Sequence, residues 1–321
     1  MSPARDESLR DGIPRGENTR GESAKDGRAE DGSVGGGIPR EEGPAAERPR
    51  PRADCTVDAE NRIVIRLTSP DTPNTPASAP RLLLRLRPPK GQPEEVRRVF
   101  DLEPVPGRDR WRATIDAAPA FEEGRWDAYV LPSPGEPRRR LLPGIRDLRA
   151  LVTGRAPDST HSPLAVRIPY ATLDGYFAVR AWLRPTHAEA DRIRVADGAT
   201  TVRGRLFGAE LGTGAVALLR RRGKGGTVRE VDLAAESDHA FSFTVGYRDL
   251  LSTPGSGAGP AVWDVFVRPC AAAPPVRMAR LLDDLADRKK VFVYPDTALD
   301  GLKARPYYTV DNDLSVEITT G

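Results

Sequence analysis

The sequence of 321 residues is poor in the residue types that build catalytic and metal centres, with three histidines and two cysteines. Cys55 and Cys270 do not form a CxxC pair, so their spacing excludes a disulfide scaffold and a zinc site. No segment approaches the roughly 18 apolar residues that identify a membrane-spanning helix. The N-terminus also lacks the apolar run of a signal peptide. These absences predict a cytoplasmic protein without a membrane span.

Aromatic residues are absent from residues 1–50, which contain nine basic and eleven acidic side chains. Such a segment buries too little apolar surface to offset the entropy of ordering its backbone. We therefore expect residues 1–52 to form a disordered, low-complexity tail. After residue 50 the chain has 40 basic and 35 acidic residues, spread evenly. This excess is too small to predict a nucleic-acid partner.

The motifs of common enzyme families are missing. The sequence has no P-loop, no GxGxxG between a strand and a helix, no HExxH and no GxSxG. Asp158, Ser159 and His161 resemble triad components, but they lie within four residues, whereas a triad draws its members from separate rigid elements. His187 is expected in a solvated loop. We therefore predict no catalytic residue, no cofactor and no metal site.

Short runs of β-branched and aromatic residues follow one another from residue 53 onward. Pro and Gly interrupt them every 8–15 residues, and the 31 prolines and 30 glycines leave little room for long helices. The pattern predicts an all-β fold of immunoglobulin-like antiparallel sandwiches. Within it, Leu281 and Leu285 suggest one helical turn. The segments 291–294 and 314–318 are expected as closing strands.

An internal repeat organises these strands. Residues 126–130 (WDAYV) match residues 263–267 (WDVFV) at an offset of 137, and the same offset carries Arg140 onto Arg277. The repeat predicts two tandem sandwiches, at 53–155 and 160–321. Trp126 and Trp263 occupy equivalent positions, where they form either the centre of each core or a platform that stacks against sugars.

Candidate ligand-binding residues come from two short clusters: Arg220, Arg221, Arg222, Asp311 and Asp313. The arginines, with Lys224 nearby and a similar run at 138–140, are either solvated turn charges or a site for a phosphate-rich polymer, such as a teichoic-acid-like chain. Residues 311–313 match the DxD pattern that binds metal and nucleotide-sugar phosphates. The alternative is an Asx turn that opens the last strand.

The second half of the chain resembles a group of Streptomyces-type actinobacterial proteins labelled "transferase". Four stretches carry the resemblance, which covers about half of the chain: 175–189, 202–209, 289–295 and 305–315. Their layout is similar to the β-domains attached to wall-polymer (teichoic-acid-type) glycosyltransferases and glycerophosphotransferases. The resemblance implies an association with a glycosyltransferase or other wall-polymer machinery.

Three functions remain open on the sequence. The first is a non-catalytic accessory or interaction module that serves glycan or wall-polymer transfer. The second is a glycosyl- or glycerophosphate-type transferase whose site has no recognised motif. The third is a structural protein that oligomerises through the edges of its sheets. The sequence determines neither the ligand nor the oligomeric state.

Overall fold

The computed structural model describes residues 50–68, 79–108, 110–153, 158–223, 226–252 and 260–320. The expected disordered tail lies outside the described residues up to position 49, and so does Lys224. Residues 50–52, assigned to that tail, belong to the fold. Pro51 is buried, and the first strand begins at Arg52.

The first half of the described chain contains eleven strands and one short helix. They are β1 (Arg52–Val57), β2 (Ile63–Thr68), β3 (Arg81–Leu86), β4 (Arg97–Asp101), β5 (Glu103–Pro104), β6 (Trp111–Ile115), β7 (Gly124–Leu131), β8 (Arg139–Arg140), β9 (Leu142–Asp147), α1 (Arg149–Thr153), β10 (Leu164–Ala171) and β11 (Phe177–Arg184). One sheet has the order β5-β6-β2-β1-β9, and the facing sheet has the order β10-β11-β7-β3-β4, with β8 also on β7.

The second half repeats this arrangement with eleven further strands and one short helix. They are β12 (His187–Ala196), β13 (Ala199–Phe207), β14 (Val216–Arg221), β15 (Val228–Asp232), β16 (Ala234–Ala235), β17 (Ala240–Gly246), α2 (Tyr247–Ser252), β18 (Ala261–Arg268), β19 (Val276–Ala279), β20 (Thr297–Leu299), β21 (Leu302–Tyr308) and β22 (Leu314–Thr320). Strand β19 pairs with both β12 and β18, so its two sheets join at one edge.

The all-β sandwich class is confirmed. Alternation of buried and exposed side chains along the strands gives each half its own apolar core between two sheets. Trp126 and Trp263 are both fully buried, one in each core, which confirms the core interpretation of these residues. Pairing is antiparallel except for one parallel pair in each half, β1 with β9 and β12 with β19.

The hairpin β10–β11 belongs to the first sandwich, although the sequence placed the boundary between 155 and 160. Val179 on β11 pairs with Trp126, and its counterpart Val316 on β22 pairs with Trp263. Both members of the second pair lie 137 residues after those of the first. The repeated unit therefore includes a closing hairpin that the sequence search had not matched. Whether each half folds as an independent domain stays a prediction.

Residues 48–321 form one compact unit. The two sandwiches meet at a third apolar cluster, which joins the outer face of β10–β11 to the second half. The cluster contains Leu164, Val166, Ile168, Trp182, Phe207, Ala279, Leu281 and Ala286. In the described part of the chain, helices are too short and too polar to cross a membrane.

Two local expectations are wrong. Residues 281–285 form no helical turn, and the backbone N–H groups of Leu281 and Leu282 donate to the Glu189 carboxylate. Residues 291–294 are not a strand. Their aromatic rings pack on Tyr308 at centroid distances of 6.2 Å for Phe292 and 6.3 Å for Tyr294.

Candidate functional site

A cleft of about 270 Å³ opens beside the turn that joins β21 to β22. It brings together three of the five candidate residues from the sequence. Its lining consists of Arg222, Lys289, Tyr307, Thr309, Val310, Asp311 and Asp313. The cleft therefore combines two cations, which come from the segments after β14 and after β19, with the carboxylates and the aromatic ring of the β21–β22 hairpin.

Arg222 is held by a carboxylate on the neighbouring strand. Its Nε lies 3.0 Å from both oxygens of Asp264, and its Nη2 lies 2.7 Å from Oδ1. Arg277 also donates to Asp264, at 2.8 Å. Burial acts to raise the pKa of Asp264, but the hydrogen bond from Arg222 and the charge of Arg277 outweigh it, and the pKa lies below its usual value. The guanidinium of Arg222 is thus fixed in place while about half of its side chain faces solvent.

The turn after β21 sets the positions of the two acidic candidates. The Thr309 hydroxyl accepts hydrogen bonds from the N–H groups of Asp311 and Asp313, each at 3.2 Å. Asn312 between them adopts a φ of 63°, a left-handed conformation that asparagine tolerates. A turn opens the last strand, as expected, but the Thr309 hydroxyl and not an Asx side chain accepts these N–H groups.

Each of these carboxylates faces an arginine. Asp311 is half exposed and receives a hydrogen bond of 2.8 Å from Arg180. Asp313 lies 3.6 Å from Nε of Arg277, and burial raises the pKa of its carboxyl above the usual value. No group of three His, Cys, Asp or Glu residues that could hold a metal ion occurs in the described ranges. Both carboxylates of the cleft are therefore paired with arginines that do not line it.

The other two candidate arginines do not line the cleft. The guanidinium of Arg220 lies over the Phe266 ring, 4.9 Å from its centroid. Arg221 is the next residue on β14, and successive side chains of a strand point to opposite faces. The triplet 220–222 therefore contributes only its last member.

A smaller cleft, of about 210 Å³, lies beside the corresponding turn of the first sandwich. We call it the first cleft, and the cleft beside Arg222 the second cleft, after the sandwich whose turn each one adjoins. The sequence analysis missed it. The signal was present, since residues 169–174 (PYATLD) match residues 306–311 (PYYTVD) at the offset of 137 already found for the tryptophans. The lining consists of Arg87, Arg125, Tyr170, Ala171, Thr172, Leu173, Asp174, Ala286, Asp287 and Val310.

Arg87 is held in the first cleft as Arg222 is held in the second. It donates from Nη2 to the buried Asp127 at 2.6 Å and from Nε at 3.3 Å. Asp127 also accepts from Arg85 at 2.7 Å and from Arg140 at 3.3 Å. Burial acts to raise the pKa of Asp127, yet the hydrogen bonds from Arg87 and Arg85 keep it below its usual value. About two fifths of the Arg87 side chain remains exposed.

The two clefts adjoin. Val310 lines both of them. Two arginines of the first sandwich contact the β21–β22 turn of the second sandwich. Arg125 donates to the Val310 carbonyl at 3.1 Å, and Arg180 pairs with Asp311. The clefts are therefore neighbours at the seam between the sandwiches, and together they are called the groove.

His187 is not in a solvated loop, as the sequence suggested. It is buried, and its Nε2 lies 2.7 Å from Oε2 of the equally buried Glu189. Since Glu189 also accepts the N–H groups of Leu281 and Leu282, this pair ties β12 to the segment after β19. It lines neither cleft.

A larger cleft, of about 1030 Å³, adjoins the first cleft and shares Tyr170, Ala171, Ala286 and Asp287 with it. Three of its lining residues are exposed apolar side chains: Ile145 (78% exposed), Val152 (59%) and Val291 (59%). Apolar side chains gathered on a surface in this way are a feature of interaction sites.

Comparison with known proteins shows a distant likeness. No protein-family model matches the chain, and no curated protein sequence matches it significantly. Among solved structures, it is similar to residues 217–571 of TarS from S. aureus, with 15% identity and a TM-score of 0.29, over 63% of this chain and 58% of that chain. A longer TarS structure matches with 15% identity and a TM-score of 0.29, over 66% of this chain and 38% of that chain. The chain thus spans less than two thirds of either structure.

Proposed function

We propose that this protein is a non-catalytic binding module for a phosphate-bearing, hydroxyl-rich polymer, and that it serves glycan or wall-polymer transfer. The observation that carries the proposal is Arg222, presented to the groove by the partly buried Asp264. A guanidinium fixed on one edge keeps its planar fork ready for a phosphate. Tyr307 supplies an aromatic face beside it, and Asp311 supplies a half-exposed acceptor for hydroxyl groups.

The pairing of the two carboxylates with arginines favours binding over transfer. Asp311 and Asp313 face Arg180 and Arg277 at 2.8 Å and 3.6 Å. Carboxylates that are paired with arginines are less available as metal ligands or as catalytic bases, which supports binding over transfer. The association with wall-polymer machinery rests on the sequence resemblance of the second half.

The test is calorimetric titration of the full chain with a short oligomer of glycerol phosphate and with a neutral glycan of similar length. We expect binding of the phosphate oligomer that weakens with salt, because screening reduces the charge attraction. Arg222→Ala should weaken binding at the second cleft about 10- to 100-fold, the value of one hydrogen-bonded charge contact. Arg203→Ala is the matched control, since Arg203 is 54% exposed, is held by Glu236 and lies outside both clefts. Equal binding by Arg222→Ala and the wild type contradicts the proposal.

The transferase alternative predicts a different result in the same calorimetric titration. If a nucleotide sugar binds only in the presence of a metal ion, and Asp311→Ala or Asp313→Ala abolishes this binding, the protein is an enzyme and not a binding module. Such enzymes hold the diphosphate through a metal, basic residues or a helix N-terminus.

The structural alternative is favoured by the larger, apolar cleft. If a second copy of this chain covers that cleft, Ile145→Asp should convert a dimer to a monomer in light scattering. A wild-type chain that is already monomeric at micromolar concentration removes this alternative.

A further inference from the structure

The two clefts have the same chemistry because they occupy the same place in the two copies of the repeat. Tyr170, Thr172 and Asp174 correspond to Tyr307, Thr309 and Asp311 at the offset of 137. Arg87 follows β3, which pairs with β7, and it donates to Asp127 on β7. In the same way Arg222 follows β14, which pairs with β18, and it donates to Asp264 on β18. Each cleft thus has one supported arginine, one tyrosine and one exposed carboxylate.

The turn explains only part of this agreement. Thr172 and Thr309 both cap their turns through the hydroxyl oxygen, so their identity has a structural reason. A hairpin turn does not require a tyrosine before it, nor an arginine on a different strand. These residues have been kept although they are partly exposed.

The outer faces of the same hairpins differ between the two copies outside the clefts. Ile168 on β10 corresponds to Arg305 on β21, and its cross-strand partner Arg180 on β11 corresponds to Glu317 on β22. Ile168 and Arg180 are buried, the first in the seam between the sandwiches, so their divergence follows from their different neighbours. The arginine, tyrosine and carboxylate of the two clefts agree although the surroundings differ, which favours a ligand that both clefts bind.

We propose that the two clefts are successive subsites for a single chain of a repeating polymer, so that the module binds its ligand bivalently. The inference rests on the proposed function and extends it from one cleft to both clefts of the groove, which share Val310. Each repeat unit of the ligand offers one anionic group to Arg87 or Arg222. Its hydroxylated part lies against Tyr170 or Tyr307, within reach of Asp174 or Asp311.

The experiment is calorimetric titration with a length series of glycerol phosphate oligomers. A short oligomer should bind at two sites per protein chain with similar, weak affinity. An oligomer long enough to reach from one cleft to the other should bind at one site per chain, roughly 10²- to 10⁴-fold more tightly, because the second contact becomes intramolecular. Arg87→Ala and Arg222→Ala should each abolish this gain, and the double variant should abolish binding.

Arg87→Lys covers the possibility that the alanine variant unfolds. It keeps a cation beside Asp127 but removes the planar fork, and it should still lose most of the gain with length. Arg203→Ala should behave as the wild type at every length, and thermal unfolding of each variant confirms the fold.

The outcomes separate this inference from the proposed function. If the short oligomer binds once per chain, and only Arg222→Ala affects it, the bivalent groove is refuted while the binding module stands. If Arg87→Ala and Arg87→Lys fold and leave the affinity for long oligomers unchanged, the first cleft is no subsite. If neither length binds the wild type in a salt-dependent way, both proposals fail.

Discussion

Replacing Asp127 by asparagine is the sharpest test of the charge cluster behind the first cleft. The Asp127 side chain is 2% exposed and accepts hydrogen bonds from Arg85, Arg87 and Arg140 at 2.7, 2.6 and 3.3 Å. Asn keeps the shape and one acceptor oxygen but removes the charge, so three guanidinium groups lose their shared counter-ion, and among the described residues Arg85 and Arg140 keep only Glu94 and Asp174 as carboxylate partners. Breaking a buried ion pair by removing one partner costs about 3–5 kcal/mol.

The equivalent change in the second sandwich provides an internal comparison. The Asp264 side chain is 22% exposed and is paired with two arginines, so water solvates part of what the change leaves behind. We expect Asp264→Asn to cost about 1.5–3 kcal/mol. Asp300→Asn serves as the control, because Asp300 and its partner Arg248 are both about 70% exposed. Exposed pairs contribute about 0–1 kcal/mol.

Differential scanning calorimetry measures these costs. Asp127→Asn should lower Tm by on the order of 10 °C, while Asp300→Asn should change it by a degree or two. The pH dependence gives a second readout. Because the pKa of folded Asp127 lies below the usual 3.8, its stabilisation is complete above pH 3.8 and is lost as the pH falls through the lower folded value. The gap between wild type and Asp127→Asn should therefore close in acid. A gap no larger than that of Asp300→Asn, or one that widens in acid, refutes the reasoning.

Three further predictions concern the rest of the fold. Trp126→Ala and Trp263→Ala should each cost about 3–5 kcal/mol in denaturant unfolding, because both indoles are fully buried; a cost near zero at either site contradicts its place in the core. Burial raises the pKa of the Cys55 thiol to about 12, so an aromatic disulfide reagent at pH 8 should modify only Cys270 in the native protein and both thiols in urea; two thiols reacting at once in the native protein refute this. A chain that begins at residue 50 should keep the Tm of the full chain within a degree or two, because residues 1–49 contain no aromatic side chain to bury; a drop of several degrees contradicts it.

The fold class could be predicted because strand patterning is a local signal. A period of two in short apolar runs, interrupted by Pro and Gly, depends on no distant contact. The tryptophan pair could also be predicted, since the core positions of the two copies share size and apolarity. Both Trp126 and Trp263 pack where the repeat placed them.

The closing hairpin of the repeat was harder to recognise. Its core-facing residues agree, as Val179 and Val316 show, but its outer face has diverged from Trp182 to Thr319. Because the two outer faces have different neighbours, one apolar and one solvent, the sequences drifted apart there. The first cleft was missed because half of its lining residues belong to this hairpin.

The environment of His187 depends on contacts that sequence reasoning could not supply. Thr186, Glu189 and Asp191 around it are typical of a solvated loop. Yet Glu189 finds its partners in the N–H groups of Leu281 and Leu282, about ninety residues away along the chain. A buried polar pair of this kind is stable only when these distant backbone N–H groups contact it in the folded protein. The spacing of residues along the sequence does not reveal that contact.

The seam between the sandwiches also limits growth of the structure. The first copy stacks on the second through Val166, Ile168 and Trp182. At the equivalent positions the second copy has Lys303, Arg305 and Thr319. A third unit could not be added to this end in the same geometry, because it would have to desolvate two cations. The second hairpin thus acts as the polar end cap of a two-unit stack, in the way that the terminal units of repeat proteins protect the array from open-ended assembly.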